Sequence, residues 1–276
     1  MDIQIQKIVT HDGQFHADEV FATAMLYRIF KRIDLTRTRD EQYLKKSLSN
    51  PDVIVIDVGA EYNRKNNNFD HHQDMSLKSA AGLIFDAFGN RLGLDDLELS
   101  YFAKFIDAID AIDTNRNNIY VLWNTLPEGF RNFSSLISGF NRDVSANEVQ
   151  REQFFFALDF ASIVLQNEIF SARQKAVSER EYADRVILPN NVAVFEKFST
   201  VWKDKSDHQF AVMPHHTGWQ ILTRDSFVAV IPESVAECEG FIFRHGSGFM
   251  ATVKERLVAI EFAQTLPVIE IVKADE

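Results

Sequence analysis

The stretch Ile3-Gln4-Ile5-Gln6-Lys7-Ile8-Val9-Thr10-His11-Asp12-Gly13-Gln14-Phe15-His16-Ala17-Asp18 decides how the chain folds. Apolar residues alternate from Ile3 and then run together to Val9, the pattern of a strand, and His11-Asp12-Gly13 closes it in a turn. From Asp18 to Ile33 the period changes: Val20, Ala24, Tyr27 and Phe30, with Phe21, Met25 and Ile29 alongside, have helical spacing. Thr36-Arg37-Thr38 then predicts a short strand, and Asp40 to Leu48 a short helix opened by an acidic cap. Val53-Ile54-Val55-Ile56 is a β-branched run expected to be buried on both faces, stopped by Asp57 and Gly59. Alternating strands and helices predict an α/β fold, a parallel sheet with helices on both sides.

Beyond that core the polar, Asn-rich segment from Glu61 to Met75 reads as a loop, followed by helices at Lys78 to Asn90 and Leu94 to Ile112. Glu148 to Tyr182 contains neither Pro nor Gly and predicts a long helical stretch. After Arg185 the pattern turns to short strands: Val192 to Phe195, Phe210 to Met213, Trp219 to Thr223, Phe227 to Ile231 and Phe241 to Phe243. Gly246-Ser247-Gly248 reads as a strand-to-helix turn, with Val253 to Thr265 as a closing helix. The expected domains are therefore 1–185 and a smaller C-terminal α/β domain, 186–276.

Composition narrows the function. The 276 residues hold 40 acidic and 29 basic side chains, a formal net charge of −11, which argues against a broad basic track for duplex nucleic acid. A small phosphate-bearing substrate stays open, because a metal site supplies positive charge locally. The single cysteine, Cys238, excludes a disulfide framework and a CxxC zinc site, and lying between Glu237 and Glu239 it is expected to be inert. Met1 to Lys7 lacks the apolar stretch of a secretory signal, and no run approaches the roughly 18 apolar residues of a membrane span. The expectation is a cytoplasmic protein with no membrane partner.

The polar residues of the first half cluster after strands, where open parallel sheets bind ligands. His11, His16 and Asp18 follow the first strand, Asp57 another, and Asp70-His71-His72 lies in the next loop. Asp110 and Asp113, three apart, share one helical face. Singly, each has a simpler reading: Asp12-Gly13 as a turn, Asp18 as a helix cap, the last pair as a solvated helix end. Jointly, imidazoles and carboxylates without thiolates suit Mn²⁺, Fe²⁺, Co²⁺ or Zn²⁺. A carboxylate such as Asp57 can bridge two ions roughly 3.5–4 Å apart, an arrangement suited to phosphoryl transfer.

These residues also carry a resemblance. Thr10-His11-Asp12-Gly13-Gln14-Phe15-His16-Ala17-Asp18-Glu19 resembles the opening motif of the MYG (melanocyte proliferating gene) family, within the DHH phosphoesterase superfamily. Asp57-Val58-Gly59, Phe69-Asp70-His71-His72-Gln73, Ser79-Ala80-Ala81-Gly82-Leu83 and Asp110-Ala111-Ile112-Asp113 are similar to its next blocks. Trp219-Gln220-Ile221 and His245-Gly246-Ser247-Gly248-Phe249 are similar to its C-terminal motifs, so the resemblance runs over nearly the whole chain. It implies a DHH-type catalytic domain holding two divalent ions, Mn²⁺ first, with Mg²⁺, Co²⁺ or Zn²⁺ as alternatives. By that analogy His11, His16 and Asp57 hold one ion, and Asp18, Asp57, His71 and Asp113 the second, with Asp110 as the alternative to Asp113. His72 would contact the scissile phosphate or protonate the leaving oxygen, and Asp70 would orient a neighbouring imidazole.

In the second half, Arg244-His245-Gly246-Ser247-Gly248 is the candidate substrate contact, since glycines admit a phosphate and an arginine can pair with it bidentately. His215-His216-Thr217-Gly218 reads as a polar hairpin turn. Neither a phosphate-binding loop of the G-x-x-x-x-G-K-[ST] type nor a dinucleotide fingerprint is present. The resemblance implies a 3′–5′ exoribonuclease acting on short or single-stranded RNA and releasing nucleoside monophosphates, and the reading allows for a homodimer. The alternatives are a hydrolase of a small phosphate compound, dinucleotide or pyrophosphate, and a binding protein with a structural metal.

Overall fold

The computed structural model describes residues 5–31, 33–143, 146–205 and 208–267. Ile3 and Gln4 of the first expected strand, and Arg32 of the first helix, lie outside these residues. The chain divides into two compact units, 1–173 and 174–276.

The first unit is built as its alternating pattern requires. In chain order β1 (Lys7–Thr10), α1 (Ala17–Phe30), β2 (Asp34–Arg37), α2 (Glu41–Leu48) and β3 (Val53–Ile56) lead to two two-residue strands, β4 (Tyr62–Asn63) and β5 (Asn68–Phe69). The sheet order is β2-β1-β3-β5-β4, parallel except for β4. All four residues of β3 are buried. On one side Ile8, Ile54 and Ile56 pack in a core with Val20, Phe21 and Met25 of α1. On the other Val9, Val53 and Val55 pack with Leu44 of α2, whose start Asp40 caps by accepting the Tyr43 N–H at 2.7 Å.

Helices α3 (Ala80–Phe88), α4 (Asp96–Asp113), α5 (Ile119–Trp123) and α6 (Phe133–Ser138) follow, then α7 (Asn147–Tyr182), 36 residues long. Small residues at the start of α3 admit close packing on α1, and a Cβ at Gly82 would meet Lys78 Cβ at 2.7 Å and Asp110 Oδ1 at 3.2 Å. Among the described residues α7 is the one helix long and apolar enough by composition to cross a membrane, a feature that the absence of a continuous apolar run does not reveal. Its Phe154, Ala157, Leu158, Ala161, Leu165, Ile169 and Ala172 form a buried stripe in the core of the first unit. The two units part at Arg173–Gln174 within this helix, ahead of the boundary expected at Arg185. A continuous helix carries no sequence break where its packing partners change.

The second unit holds β6 (Val186–Leu188), β7 (Val192–Val194), α8 (Trp202–Lys205), β8 (Phe210–His215), β9 (Gly218–Thr223), β10 (Phe241–Arg244), β11 (Met250–Val253) and α9 (Arg256–Thr265). Its sheet order is β10-β11-β9-β8-β7-β6, antiparallel except for the β7–β8 pair. Ala259 and Ala263 of α9 pack on one face with Val212, Ile221 and Val253.

Three expectations are corrected here. The Glu61–Met75 segment is not loop throughout, for β4 and β5 within it extend the first sheet, β5 pairing with β3 and β4 with β5. Phe227–Ile231 is not a strand: the Asp225 carboxylate accepts the Phe227 N–H at 2.8 Å and its carbonyl accepts those of Val228 and Ala229, curling the segment into a turn. The segment after Gly248 is not the start of a helix but strand β11, so Gly246-Ser247-Gly248 connects two antiparallel strands. Gly248 has φ +72, and a Cβ there would stand 2.9 Å from both Arg244 Nη2 and Val230 Cβ, so the turn needs glycine at that position.

Candidate metal centre

The site starts at the C-terminal end of β1. His11 is buried and directs Nδ1 to the Asp12 carbonyl at 2.9 Å. That bond suits an Nδ1–H tautomer, which leaves the Nε2 lone pair facing inward, the form in which imidazole ligates metals. His11 Nε2 lies 3.2 Å from Glu19 Oε1 and 3.2 Å from Asp57 Oδ2. Asp57 ends β3 with φ +56, a left-handed conformation that aspartate tolerates better than most residues. Its Oδ1 is 3.2 Å from His71 Nε2, which in turn is 3.4 Å from Asp113 Oδ2 and 3.9 Å from Asp18 Oδ2. Asp57 thus stands between two imidazoles brought in by different loops.

Three groupings have ligand atoms within 4.8 Å of one another: His11, His16, Glu19 and Asp57; Asp57, His71 and His72; and Asp18, His71 and Asp113. Asp57 joins the first two and His71 the last two. Asp70 sits just outside and serves His72, accepting its Nδ1 proton at 2.7 Å and its backbone N–H at 3.2 Å, while the other oxygen accepts the Ala60 N–H at 2.6 Å.

Asp110 takes a different place. Its Oδ1 accepts the Ser79 N–H at 2.5 Å and its Oδ2 pairs with Arg116, so this carboxylate ties α4 to the first turn of α3. The two aspartates of the fourth motif therefore part company, for Asp113 meets His71 and Asp18 whereas Asp110 secures the α3 start. Asp18 is not the cap of α1. His16 holds the N-cap position, and Asp18 Oδ2 accepts the Ala80 N–H at 3.2 Å from α3.

Three residues that sequence reasoning does not single out build the frame. Glu19 is buried and accepts the His16 N–H through both carboxylate oxygens, at 2.8 and 2.9 Å, while facing His11. The sequence signal for it is an acid three residues after the cap position. Arg37 at the end of β2 donates Nη2–H to the Gly13 carbonyl at 2.7 Å and Nε–H to that of His11 at 3.2 Å, with its guanidinium over the rings of Phe154 and Phe15. Asn141 pairs with the backbone of Phe15 in both directions, at 3.1 and 2.8 Å.

The electrostatics are those of a cation site. Burial works against a charged His11, yet contacts with Asp57 and Glu19 outweigh it and push the imidazole up to about 10. Burial likewise opposes the Asp57 anion, but His11 and His71 beside it hold it below the usual carboxylate range. Asp18 is pushed well above its ordinary value by burial and then by the charges of Asp57 and Asp113, and Asp113 is raised by burial and Asp57. Asp18 Oδ1 is buried without a hydrogen bond, and buried Asp57 Oδ1 has His71 Nε2 beside it at 3.2 Å. A buried carboxylate oxygen without a hydrogen bond, beside carboxyls that resist ionising together, fits divalent cations bound among them. His11, His16, Asp18, Asp57, His71 and Asp113 supply the oxygen and nitrogen donors such ions take.

The Arg244–Gly248 turn belongs to the second unit. Arg244 donates Nε–H to Ile231 O at 2.8 Å and Nη1–H to His245 O at 3.3 Å, and His245 Nδ1 meets Ser247 Oγ at 2.9 Å. The hydrogen bonds of this turn are largely internal. His215 similarly contacts Thr217 at 2.8 Å within the β8–β9 hairpin.

Residues 7–206 match the family model MYG1_exonuc, described as "Uncharacterised protein family (UPF0160)". The chain belongs to this family. It is 35% identical over 165 residues to a MYG1 protein of Chlamydia trachomatis, an alignment covering 58% of this chain and 53% of that one, so it spans about half the length of that relative. It is 24% identical over 330 residues to the MYG1 exonuclease of Bos taurus, covering 94% of this chain and 84% of the relative. A solved structure of a pGpG-specific phosphodiesterase, PggH from Vibrio, is similar over 94% of this chain and 96% of that one, at 11% identity and a TM-score of 0.37. The family match agrees with the resemblance read from the His11–Glu19 and Asp70–Gln73 motifs.

Proposed function

We propose that the chain is a metal-dependent phosphodiesterase, of DHH type, that shortens short or single-stranded RNA from its 3′ end and releases nucleoside monophosphates. The observation that carries this reading is the convergence of His11, Asp57, His71, Asp18 and Asp113 in one cluster, with the buried Asp18 Oδ1 left without a hydrogen bond. The exonuclease name of mammalian relatives supports it.

Divalent cations held there, Mn²⁺ first among them, would neutralise phosphate charge and, as Lewis acids on the phosphoryl oxygens, make phosphorus more electrophilic. Asp57 contributes one oxygen toward His11 and the other toward His71, the disposition of a carboxylate shared between two cation positions. The Asp70 carboxylate fixes the His72 ring through Nδ1, leaving Nε2 to give or take a proton at the ester oxygen. Glu19 holds the His16 backbone and faces His11, a supporting rather than a reacting place. The acidic balance of 40 against 29 favours short substrates over long ones.

The test is a set of end-labelled oligoribonucleotides incubated with the protein and Mn²⁺, some blocked at the 3′ end and some at the 5′ end. Stepwise shortening that a 3′ block abolishes is expected. Cleavage insensitive to either block, or no shortening by protein that binds Mn²⁺, would remove the exoribonuclease reading. Hydrolysis confined to dinucleotides would move the assignment to a small-phosphate hydrolase.

A further inference from the structure

The metal cleft has lining residues that the polar cluster does not use. Met75, Leu77 and Tyr120 line the cleft together with the histidines and carboxylates, and none of its described lining residues is Lys or Arg. Met75 is 86% exposed and Tyr120 47% exposed, so packing within this chain does not account for large apolar side chains at these positions. Tyr120 is also held in register with the metal cluster. Past Asp113 the chain turns through Asn115, Asn117 and Asn118, all with φ between +51 and +58, and Asn115 Oδ1 accepts the Tyr120 N–H at 3.4 Å. The ring is thus placed a short turn away from Asp113, which faces His71.

A cleft lined both by a candidate cation site and by an exposed aromatic ring suits a particular ligand. A second phosphate group, as in pyrophosphate, would meet no Lys or Arg among the lining residues, whereas a planar uncharged heterocycle would find an aromatic face. We infer that Tyr120, flanked by Met75 and Leu77, is a stacking platform for the nucleobase of the nucleotide whose phosphate occupies the metal site. This rests on the phosphodiesterase reading and adds to it the residue that would hold the base. Tyr120 is a specificity residue, not a supplier of protons, and the phenyl ring is the part that matters.

The experiment measures binding, independent of turnover. Adenosine 5′-monophosphate and ribose 5-phosphate are titrated into the Mn²⁺-loaded full chain by calorimetry, for the unmodified protein, Tyr120→Ala, Tyr120→Phe and Met75→Ser. The unmodified protein is expected to prefer the nucleotide by about tenfold or more, in line with stacking on an aromatic side chain. Tyr120→Ala should bring the two affinities together, Tyr120→Phe should keep the preference, and Met75→Ser should reduce it, with Mn²⁺ affinity the same in all four. Equal affinities in the unmodified protein, or a preference that survives Tyr120→Ala, would overturn the inference. Intact RNA shortening with equal affinities removes the platform alone. A persistent nucleotide preference without RNA shortening removes the exoribonuclease assignment alone.

Discussion

Arg37→Met probes how the fold holds the metal loop. Methionine keeps most of the side chain's volume between Phe15 and Phe154 but cannot donate to the carbonyls of Gly13, at 2.7 Å, and His11, at 3.2 Å. Hydrogen bonds from a charged group contribute about 1.5–3 kcal/mol each, and the ring contacts about 0.5–2 kcal/mol. Burial holds the guanidinium's pKa below its ordinary value, so removing the charge also relieves a desolvation penalty. The net loss should be about 2–4 kcal/mol, or a fall of about 5–15 °C in melting temperature for a chain of this size. His11 sits on the loosened loop, so Mn²⁺ affinity should drop about tenfold, the lower end for residues that orient ligands. Arg39→Met is the control: among the described residues exposed Arg39 meets Asp12, at 3.3 Å to its carbonyl and 3.6 Å to its carboxylate, and its loss should change stability by no more than about 0.5 kcal/mol. Calorimetric melting without metal and Mn²⁺ titration measure both quantities. If Arg37→Met melts and binds Mn²⁺ as the unmodified protein does, the clamp does not exist.

Three further outcomes are expected. In metal-free protein His11 has its pKa raised from 6.5 to about 10 and His71 is raised as well, so their stabilising contribution is full below pH 6.5 and is lost as pH climbs toward 10. The raised carboxyls of Asp18 and Asp113 act with the same sign from pH 3.8 upward, and the two imidazoles make the melting temperature fall as pH climbs from 6.5, a profile that saturating Mn²⁺ should flatten. A flat metal-free profile would contradict the described contacts. Asp70→Asn should lower kcat on an RNA oligomer about 10- to 100-fold with Mn²⁺ affinity unchanged, because the His72 ring loses its anionic partner at 2.7 Å; an equal loss of metal would show Asp70 to be a ligand instead. Gly218→Ala should destabilise the protein by about 2 kcal/mol or more in thermal melts, since Gly218 has φ +155 and a Cβ would stand 2.3 Å from the Val253 carbonyl oxygen. An unchanged melt would mean that the β9–β11 spacing relaxes without cost.

Much of the site was legible because its chemistry is local. A β-branched run such as Val53–Ile56 has one stable place, inside a covered parallel sheet, and the carboxylate that ends it must emerge at the sheet's rim. His11 and His71 follow neighbouring strands in the same way. What escaped is what depends on distant partners. Nothing in Arg37 or Asn141 announces that they bind the His11–Phe15 loop, because Asn141 and Phe15 are 126 residues apart. The fourth motif's two aspartates share one helical face, where only the resemblance favours Asp113, and it is the neighbours Ser79 and Arg116 that set Asp110 apart. In the second unit Phe227–Ile231 has strand composition, but Asp225 captures its amide groups locally, a competition that alternation alone does not reveal. Strands as short as β4 and β5 have no period to read.

The central claim is that Asp57 joins two cation positions in one catalytic cleft. Equilibrium Mn²⁺ titration of the full chain and of Asp57→Ala, with bound metal counted per chain, tests it most directly. The unmodified protein should bind two Mn²⁺ ions, and Asp57→Ala, still folded by circular dichroism, should lose tight binding at both. A folded Asp57→Ala chain that binds Mn²⁺ with unchanged stoichiometry and affinity would contradict the account.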